Sequence, residues 1–248
     1  MTSELDPLFR EIERYVRDPS SLILPPDRDC SHVELFDREN VSASGVQLTV
    51  HTDVASYDQF ECAYPGIGMA IEDCVLSAFE GRVGFEDTKE HVAGDILIVG
   101  TGDKGKVACF SSAIAKSPND CLSRTDLTDE VGWYMAAAAV RQDAQGTGLY
   151  KEMTRRRVDF GLSREMTLFY TRTQNPRVEE GITGELKDRV AMRQISGFSL
   201  ERRLAIGCYG KMLTAEIPIG RSVVYDTLDY DRGDAHILLF RVEKPEIV

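Results

Sequence analysis

Apolar and polar residues alternate along the first part of the chain in the way that strands require. Residues 45–53 place every second apolar side chain on one face, which predicts a half-buried strand. Two short apolar runs, 95–99 and 106–110, flank a polar glycine turn and predict an antiparallel hairpin. Between these strands, residues 68–79 carry an apolar face with helical spacing. This part of the chain is therefore predicted to be a sheet covered by a helix.

After residue 130 the pattern becomes strand, glycine loop, helix, strand and helix. The apolar run 131–140 predicts a strand, and residues 148–160 predict an amphipathic helix. Residues 166–172 predict a further strand, 178–194 a helix and 235–242 a last strand. The basic residues expected on the outside of the first of these helices are Lys151, Arg155, Arg156 and Arg157.

The start of the chain differs in composition from the rest. Leu8, Ile12 and Val16 have helical spacing, which predicts a helix over residues 3–17. A segment rich in proline and serine follows it. A chain of 248 residues can form one generous domain with an extension. We therefore expect an N-terminal extension over residues 1–44 and one domain over 45–248.

The charge of the chain narrows the choice of partners. It has 41 acidic and 29 basic residues, a formal net charge of −12. Such a surface repels phosphate backbones and anionic lipid, so neither nucleic acid nor a membrane is an expected partner. The apolar run 133–140 is far shorter than the ~20 residues that a membrane span needs. The first residues also lack a leader pattern, and we expect a cytoplasmic protein.

The cysteines are widely spaced and indicate neither a disulfide framework nor a metal centre. The six of them form no C-x-x-C pair. Cys30 and His32 are the one close Cys/His pair in the sequence, and no second pair follows them. We expect reduced, mostly buried thiols and no metal.

Two glycine-rich turns compete as sites for an anionic ligand. Gly100–Gly105 fits G-x-G-x-x-G and follows a predicted strand, as a dinucleotide-binding turn does. However, residues 106–110 predict another strand where that motif needs a helix, and Asp103 places a carboxylate in the turn. A hairpin turn is the simpler interpretation. An NAD(P)-dependent oxidoreductase built on this turn remains an alternative.

The second turn, Gln145–Gly148, lies between the predicted strand and the amphipathic helix. Gly146 and Gly148 allow a ligand to approach the backbone where the free N–H groups of a helix begin. Arg141, Lys151 and Arg155 add positive charge nearby. This turn is predicted to bind an anion such as a diphosphate.

The same residues resemble the acetyl-coenzyme A motif of the GCN5-related N-acetyltransferases, Gln/Arg-x-x-Gly-x-Gly/Ala. The segment Gln145-Gly-Thr-Gly-Leu-Tyr150 matches this motif except at Tyr150, which replaces glycine or alanine. Asn175 also stands where the family often places an asparagine before its next helix. The resemblance implies an α/β fold with a mixed, mostly antiparallel sheet, flanking helices and a splayed fourth and fifth strand.

The resemblance also implies acetyl-coenzyme A as co-substrate, bound without a metal. Its pantetheine arm is expected along the end of the strand before the loop, its diphosphate on the loop, and a further contact at the asparagine. The expected binding residues are Ala138, Val140, Arg141, Gln145, Gly146, Thr147, Gly148, Leu149, Tyr150 and Asn175.

The implied reaction moves an acetyl group to an amine. Some relatives have a glutamate on the fourth strand, where this chain has Tyr134. The nearest carboxylate that can accept a proton through water is Glu130. Tyr209 can serve as the acid. The acceptor is a small-molecule or protein amine, and the protein a monomer or homodimer. A non-catalytic acyl-coenzyme A sensor of the same fold remains a second alternative.

Overall fold

A computed structural model describes residues 45–83, 85–102, 105–209 and 224–244. The predicted extension over 1–44, with its helix, lies outside them. The described strands are β1 (Gln47–Val54), β2 (Gly94–Thr101), β3 (Val107–Lys116), β4 (Gly132–Val140), β5 (Leu168–Thr173), β6 (Gly197–Ala205) and β7 (Ala235–Glu243). The described α-helices are α1 (Tyr57–Ala63), α2 (Ile67–Ala78), α3 (Phe85–Val92), α4 (Pro118–Cys121), α5 (Leu149–Ser163) and α6 (Pro176–Ala191).

The strands form a seven-stranded sheet in the order β1-β2-β3-β4-β5-β7-β6. The pairs β1/β2, β5/β7 and β6/β7 are antiparallel, whereas β4 and β5 run parallel. Parallel neighbouring strands need a long connection between them, and α5 supplies it. The predicted α/β class with a mixed, mostly antiparallel sheet is confirmed.

Contacts divide the chain into two compact units. One comprises the described residues up to Ser112 together with Ala138–Leu149, and the other comprises Ala113–Ala137 with the described residues from Tyr150 onward. We call them unit 1 and unit 2. The prediction of one domain over 45–248 stays a prediction.

The core of unit 1 lies between the strands β1 and β2 and the helix α2. Leu48, Ile71 and Ile96 are almost wholly buried there. The predicted helix over 68–79 is confirmed as α2, because its apolar face covers the sheet. The short helices α1 and α3 were not expected from the sequence. Phe60 in α1 packs edge-on against the ring of His51.

The core of unit 2 occupies both faces of its strands. Tyr134, Tyr170 and Ile237 are buried on one face. On the other face Gly161 of α5 lies against Trp133, where a methyl carbon would come within 2.8 Å of the indole ring. The close approach of helix and strand therefore depends on a glycine.

Two expectations about unit 2 are wrong. Arg156 and Arg157 of α5 are buried, not on the outside. Arg156 pairs with Glu152, and Arg157 donates to the carbonyl of Ala137 in β4 at 2.9 Å. Specific partners thus bind part of each guanidinium group, whereas Nη2 of Arg156 and Nε of Arg157 are buried without a hydrogen bond among the described residues. The sequence also predicted no strand between 194 and 235, where the structure has β6.

The expectation of reduced, mostly buried thiols holds only in part. Cys74 and Cys109 are free and buried, and Cys121 and Cys208 are free and half-buried. Cys62, by contrast, is disulfide-bonded. None of the described helices combines the length and apolar character that crossing a bilayer requires.

Candidate functional site

The loop Gln145–Gly148 in unit 1 adopts a backbone that only glycine accommodates without strain. Gly146 and Gly148 have φ of +79° and +87°. Nothing in the described structure lies within 4 Å of the place where a Cβ would stand at either glycine. The loop is exposed along its length, and Leu149 begins α5 directly after it.

The main-chain N–H groups of this loop have no partner among the described residues. None of Gly146, Thr147, Gly148 and Leu149 donates a main-chain hydrogen bond there. Helices leave their first N–H groups unsatisfied, and the loop adds its own to them. The Thr147 hydroxyl donates to the Ala144 carbonyl at 2.6 Å. This bond holds the loop closed from within while its amides stay available for an anion.

The side chain of Gln145 also supports the loop. Its amide nitrogen donates to the carbonyl of Val140, the last residue of β4, at 3.2 Å. The glutamine therefore ties the loop back to the strand that precedes it. A residue with a long amide side chain is suited to that span, which gives a physical reason for glutamine at the first position of the motif.

The cations that the sequence analysis assigned to the loop are not equally available. Arg141 is buried and pairs with Asp73 of α2 and with Asp143. Arg155 pairs with Glu152 and Asp159 on its own helix. Lys151, in the first turn of α5, is exposed and has no ion pair in the part of the chain that the structure describes. Lys151 is thus the cation among these that is free to meet a ligand.

Tyr150 points into unit 2 and packs on Gly181 of α6. A methyl carbon at Gly181 would lie 2.8 Å from the tyrosine Cε1 atom. Burial raises the pKa of the Tyr150 phenol. The departure from the motif is therefore matched by a glycine on the neighbouring helix. The ring occupies the space that this glycine leaves.

The edge of β4 that faces β5 separates from it early. The pairing comprises Trp133 with Phe169 and Tyr134 with Tyr170. Beyond these pairs the Met135 carbonyl accepts from the hydroxyl of Thr171 at 2.9 Å. Two parallel strands that pair over so short a length are splayed, as the family resemblance implied.

The alanines that follow on β4 are partly exposed, although the strand is central in the sheet. They are Ala136, Ala137 and Ala138, and Ala139 after them is buried. Small side chains keep this surface low, so an extended ligand can approach the backbone. Arg157 holds the Ala137 carbonyl at this edge. Sequence reasoning missed Arg157, because helical periodicity alone placed it on the outer face.

Asn175 caps α6. Its Oδ1 accepts from the N–H of Arg177 at 3.0 Å, which is the usual bond of an N-cap asparagine. Its side-chain amide nitrogen makes no hydrogen bond within residues 105–209 or 224–244. The same side chain therefore caps the helix and keeps a donor free.

The three residues proposed from the sequence as catalytic, Glu130, Tyr134 and Tyr209, all lie in unit 2. The structure brings the two tyrosines together. Tyr134 stacks on Tyr170, with ring centroids 5.0 Å apart. The Tyr209 hydroxyl donates to the carbonyl of Arg172 at 2.9 Å, and the Arg172 guanidinium lies 4.5 Å above the Tyr209 ring. The two tyrosines are electrostatic neighbours across Arg172.

The environment of these tyrosines keeps both phenols protonated. Burial raises the pKa of Tyr134, and the nearby Arg172 cation opposes that shift only in part. Burial likewise raises the pKa of Tyr209. The Tyr134 hydroxyl has no hydrogen-bond partner among the described residues. It is therefore a proton donor without a fixed acceptor.

Glu130 is not near this group. It is exposed just before β4, and its carboxylate pairs with Arg241 of β7 at 2.6 Å. A weak contact of 3.4 Å joins it to the Thr167 hydroxyl. These partners hold Glu130 in a surface ion pair at the start of the strand.

The other glycine turn forms a hairpin. The N–H of Gly102 donates to the Lys106 carbonyl at 2.9 Å, and β3 begins at Val107. A methyl carbon at Gly100 would overlap the Cys109 sulfur. A strand stands where a dinucleotide site needs a helix, so the oxidoreductase alternative is wrong for this turn.

No protein-family model and no curated protein matches the chain. Solved structures that are similar to it include four proteins described as acetyltransferases. An IAA acetyltransferase from Bacillus cereus has a TM-score of 0.44 and 14% identity, over 79% of this chain and 99% of that one. Diaminobutyrate acetyltransferase from Paenibacillus lautus has a TM-score of 0.44 and 12% identity, over 82% and 100%.

The third structure, nourseothricin acetyltransferase, has a TM-score of 0.32 and 14% identity, over 59% of this chain and 64% of that one. A further similar structure, from Desulfovibrio desulfuricans, is described as an acetyltransferase of the GNAT family. The described residues have the mixed sheet with a splayed β4/β5 pair that the motif implied.

Proposed function

We propose that the protein is an acyl-coenzyme A-dependent N-acyltransferase that transfers an acetyl group from acetyl-coenzyme A to an amine. The observation that carries this proposal is the row of free main-chain N–H groups from Gly146 to Leu149, between β4 and α5. Such a row, at the positive end of a helix dipole, is suited to a diphosphate. The exposed Lys151 adds a cation in the first turn.

The strand before the loop supports the same ligand. Its partly exposed alanines, Ala136 to Ala138, leave room for an extended pantetheine arm, and the edge of β4 there is not paired with β5. Val140 ends the strand, and the free amide nitrogen of Asn175 offers one further donor. Arg141 serves through its ion pair with Asp73, which anchors the end of β4 to α2.

The reaction joins two bound partners directly. The amine nitrogen forms a bond to the thioester carbonyl carbon, the carbon–sulfur bond breaks, one proton leaves the nitrogen and one reaches the sulfur. The thioester supplies the activated acetyl group. Alignment of the reactants can lower the barrier by ~7–11 kcal/mol, so the chain does not require a dedicated base. Glu130, bound to Arg241, is not assigned to that role.

Tyr134 is proposed as the acid that protonates the departing sulfur. Its hydroxyl has no partner among the described residues, and its raised pKa keeps the proton in place at neutral pH. Tyr209 is proposed as a positioning residue, because its hydroxyl and ring both contact Arg172. The acceptor is a small-molecule or protein amine, and a cytoplasmic location and a monomer or homodimer stay predictions.

Two measurements on the wild-type protein test the proposal. Calorimetric titration is expected to detect binding of acetyl-coenzyme A and no binding of NADH. An assay of thiol release across a panel of amines is expected to detect turnover. Binding of acetyl-coenzyme A without turnover on any amine would favour the sensor, and absence of binding would overturn the proposal.

A further inference from the structure

Arg172 is an arginine without an anionic partner. It lies near the end of β5 and is half-buried. No carboxylate pairs with it among the residues that the structure describes, and its Nε is buried without a hydrogen bond. A half-buried cation that lacks such partners costs free energy, so its position needs an explanation.

The other arginines of this part of unit 2 differ from Arg172. Arg202 pairs with Glu179, and Arg232 pairs with Asp234 at 2.5 Å. Asp234 is also bound by the main-chain N–H groups of Gly207 and Asp229. The carboxylates of the neighbourhood are therefore committed elsewhere.

The groups that surround Arg172 are neutral. Its electrostatic neighbours are Tyr134, Tyr209 and the thiol of Cys208. Tyr209 fixes the position of the guanidinium from below, through its ring and through the bond from its hydroxyl to the Arg172 carbonyl. The guanidinium is thus held in place by groups that leave its positive charge unbalanced.

Arg172 and Tyr134 also belong to the same face of the sheet. Every second residue of β5, namely 168, 170 and 172, faces the same side of the sheet, and Tyr134 stacks on Tyr170 on that side. The free hydroxyl assigned above as the acid therefore lies on the same face as the unbalanced cation. A bound molecule that contacts one is close to the other.

We propose that Arg172 binds the carboxylate of the acceptor, so that the acceptor is an amino acid rather than a simple amine. This inference rests on the proposed function. One guanidinium matches the single charge of a carboxylate, and its planar fork suits the two oxygens. The ammonium group of the same zwitterion is attracted by the acidic surface of the chain.

Matched pairs of acceptors test the inference with the full-length protein. Each pair differs only in the carboxylate: L-lysine and cadaverine, L-phenylalanine and phenethylamine, L-methionine and 3-(methylthio)propylamine. Thiol release from acetyl-coenzyme A is the readout. For at least one pair, kcat/KM is expected to be about 10- to 100-fold higher for the amino acid, as one charge-assisted hydrogen-bonded pair provides.

Variants at Arg172 locate the effect. Arg172→Gln is expected to lower the ratio of kcat/KM for the amino acid to kcat/KM for the matched amine by about 10- to 100-fold, because any change at Tyr134 or Tyr209 affects both acceptors alike and cancels in the ratio. Arg172→Lys keeps the charge and is expected to restore part of the affinity. The matched control is Arg203→Gln, an arginine of the edge strand β6 that pairs with Glu201. This control is expected to leave kcat/KM unchanged for both the amino acid and the matched amine.

A second measurement needs no variant. Simple carboxylates such as propionate are expected to inhibit the wild-type reaction competitively with the amino acid, whether or not Arg172→Gln folds. Equal or better turnover of the decarboxylated amines, with no inhibition by propionate, would overturn the inference while the acyltransferase stands. Absence of thiol release with every acceptor, together with absence of acetyl-coenzyme A binding, would overturn the proposed function itself.

Discussion

The two glycine turns of this protein have similar composition and opposite surroundings. In the turn after β2, the N–H groups of Gly102 and Gly105 donate to main-chain carbonyls, and a strand follows. In the turn after β4, the N–H groups from Gly146 to Leu149 are free, and a helix follows. Glycine spacing therefore does not identify a phosphate site. Free amides at the start of a helix are the feature that favours such a site.

The largest effect is expected from Gly148→Val, which tests whether those amides bind the ligand. A branched side chain at φ of +87° forces the loop to change its backbone and displaces the free N–H groups. The dissociation constant for acetyl-coenzyme A is expected to rise about 100-fold, as loss of two charge-assisted hydrogen bonds implies. Calorimetric titration measures it.

The control for this change is Gly45→Val. Gly45 also has a positive φ, +77°, and open space where a Cβ would stand. It carries the same backbone strain outside the loop, so its dissociation constant for acetyl-coenzyme A is expected to match that of the wild type. An unchanged constant in Gly148→Val would mean that the loop does not bind the diphosphate.

Gly100→Ala is expected to act on stability and not on binding. The new methyl carbon would overlap the Cys109 sulfur and lie 2.8 Å from Leu48 Cδ2, in a packed part of unit 1. The free energy of unfolding is expected to fall by ~1–3 kcal/mol in urea titration. The acetyl-coenzyme A dissociation constant of the folded variant should stay the same. A weakened affinity for acetyl-coenzyme A with unchanged stability would instead indicate that the ligand binds at this turn.

Gly181→Ala tests why a tyrosine is tolerated at the last position of the motif. Its methyl carbon would press on the Tyr150 ring, which is expected to cost about 1 kcal/mol of unfolding free energy. In a Tyr150→Ala background the same change should stabilise, by up to about 1 kcal/mol, because alanine favours helix. Gly184→Ala, with nothing near its Cβ position, is expected to stabilise in both backgrounds. If Gly181→Ala changed the free energy of unfolding in the same direction in both backgrounds, the packing of Tyr150 on Gly181 would be disproved.

The smallest effect is expected from Lys151→Gln. The exposed lysine adds attraction to a bound diphosphate worth ~0.3–1 kcal/mol, so affinity should fall about two- to fivefold and the difference should shrink in high salt. Lys187→Gln, on an exposed position of α6, is the control and should change nothing. A loss larger than that of Gly148→Val would make the lysine, and not the amides, the main contact.

The sequence predicted the strands and helices that obey one simple period. The apolar run of β4 and the amphipathic start of α5 place the loop between them, so its environment was predictable. The strand β6 was not, because it is an edge strand in which polar residues interrupt the apolar ones and only its last residue is buried. A strand of that composition gains its identity from pairing with β7, which local pattern does not contain.

The site was predictable where it depends on the backbone and unpredictable where it depends on side-chain partners. Arg157 was expected outside, yet it reaches the Ala137 carbonyl at the open edge of β4. Tyr150 departs from the motif, and its partner Gly181 lies on another helix. Arg172 was not singled out, since its lack of a carboxylate partner is visible only among its neighbours in the structure.

One measurement tests the central claim most directly, namely the amide resonances of both glycine turns in a ¹⁵N–¹H correlation spectrum during titration. Coenzyme A is expected to shift the resonances of Gly146, Gly148 and Leu149, whereas pantetheine, which lacks the diphosphate, should leave them nearly in place. Gly102 and Gly105 should not respond to either. Shifts confined to Gly102 and Gly105, or equal shifts of the second loop with pantetheine, would contradict the account.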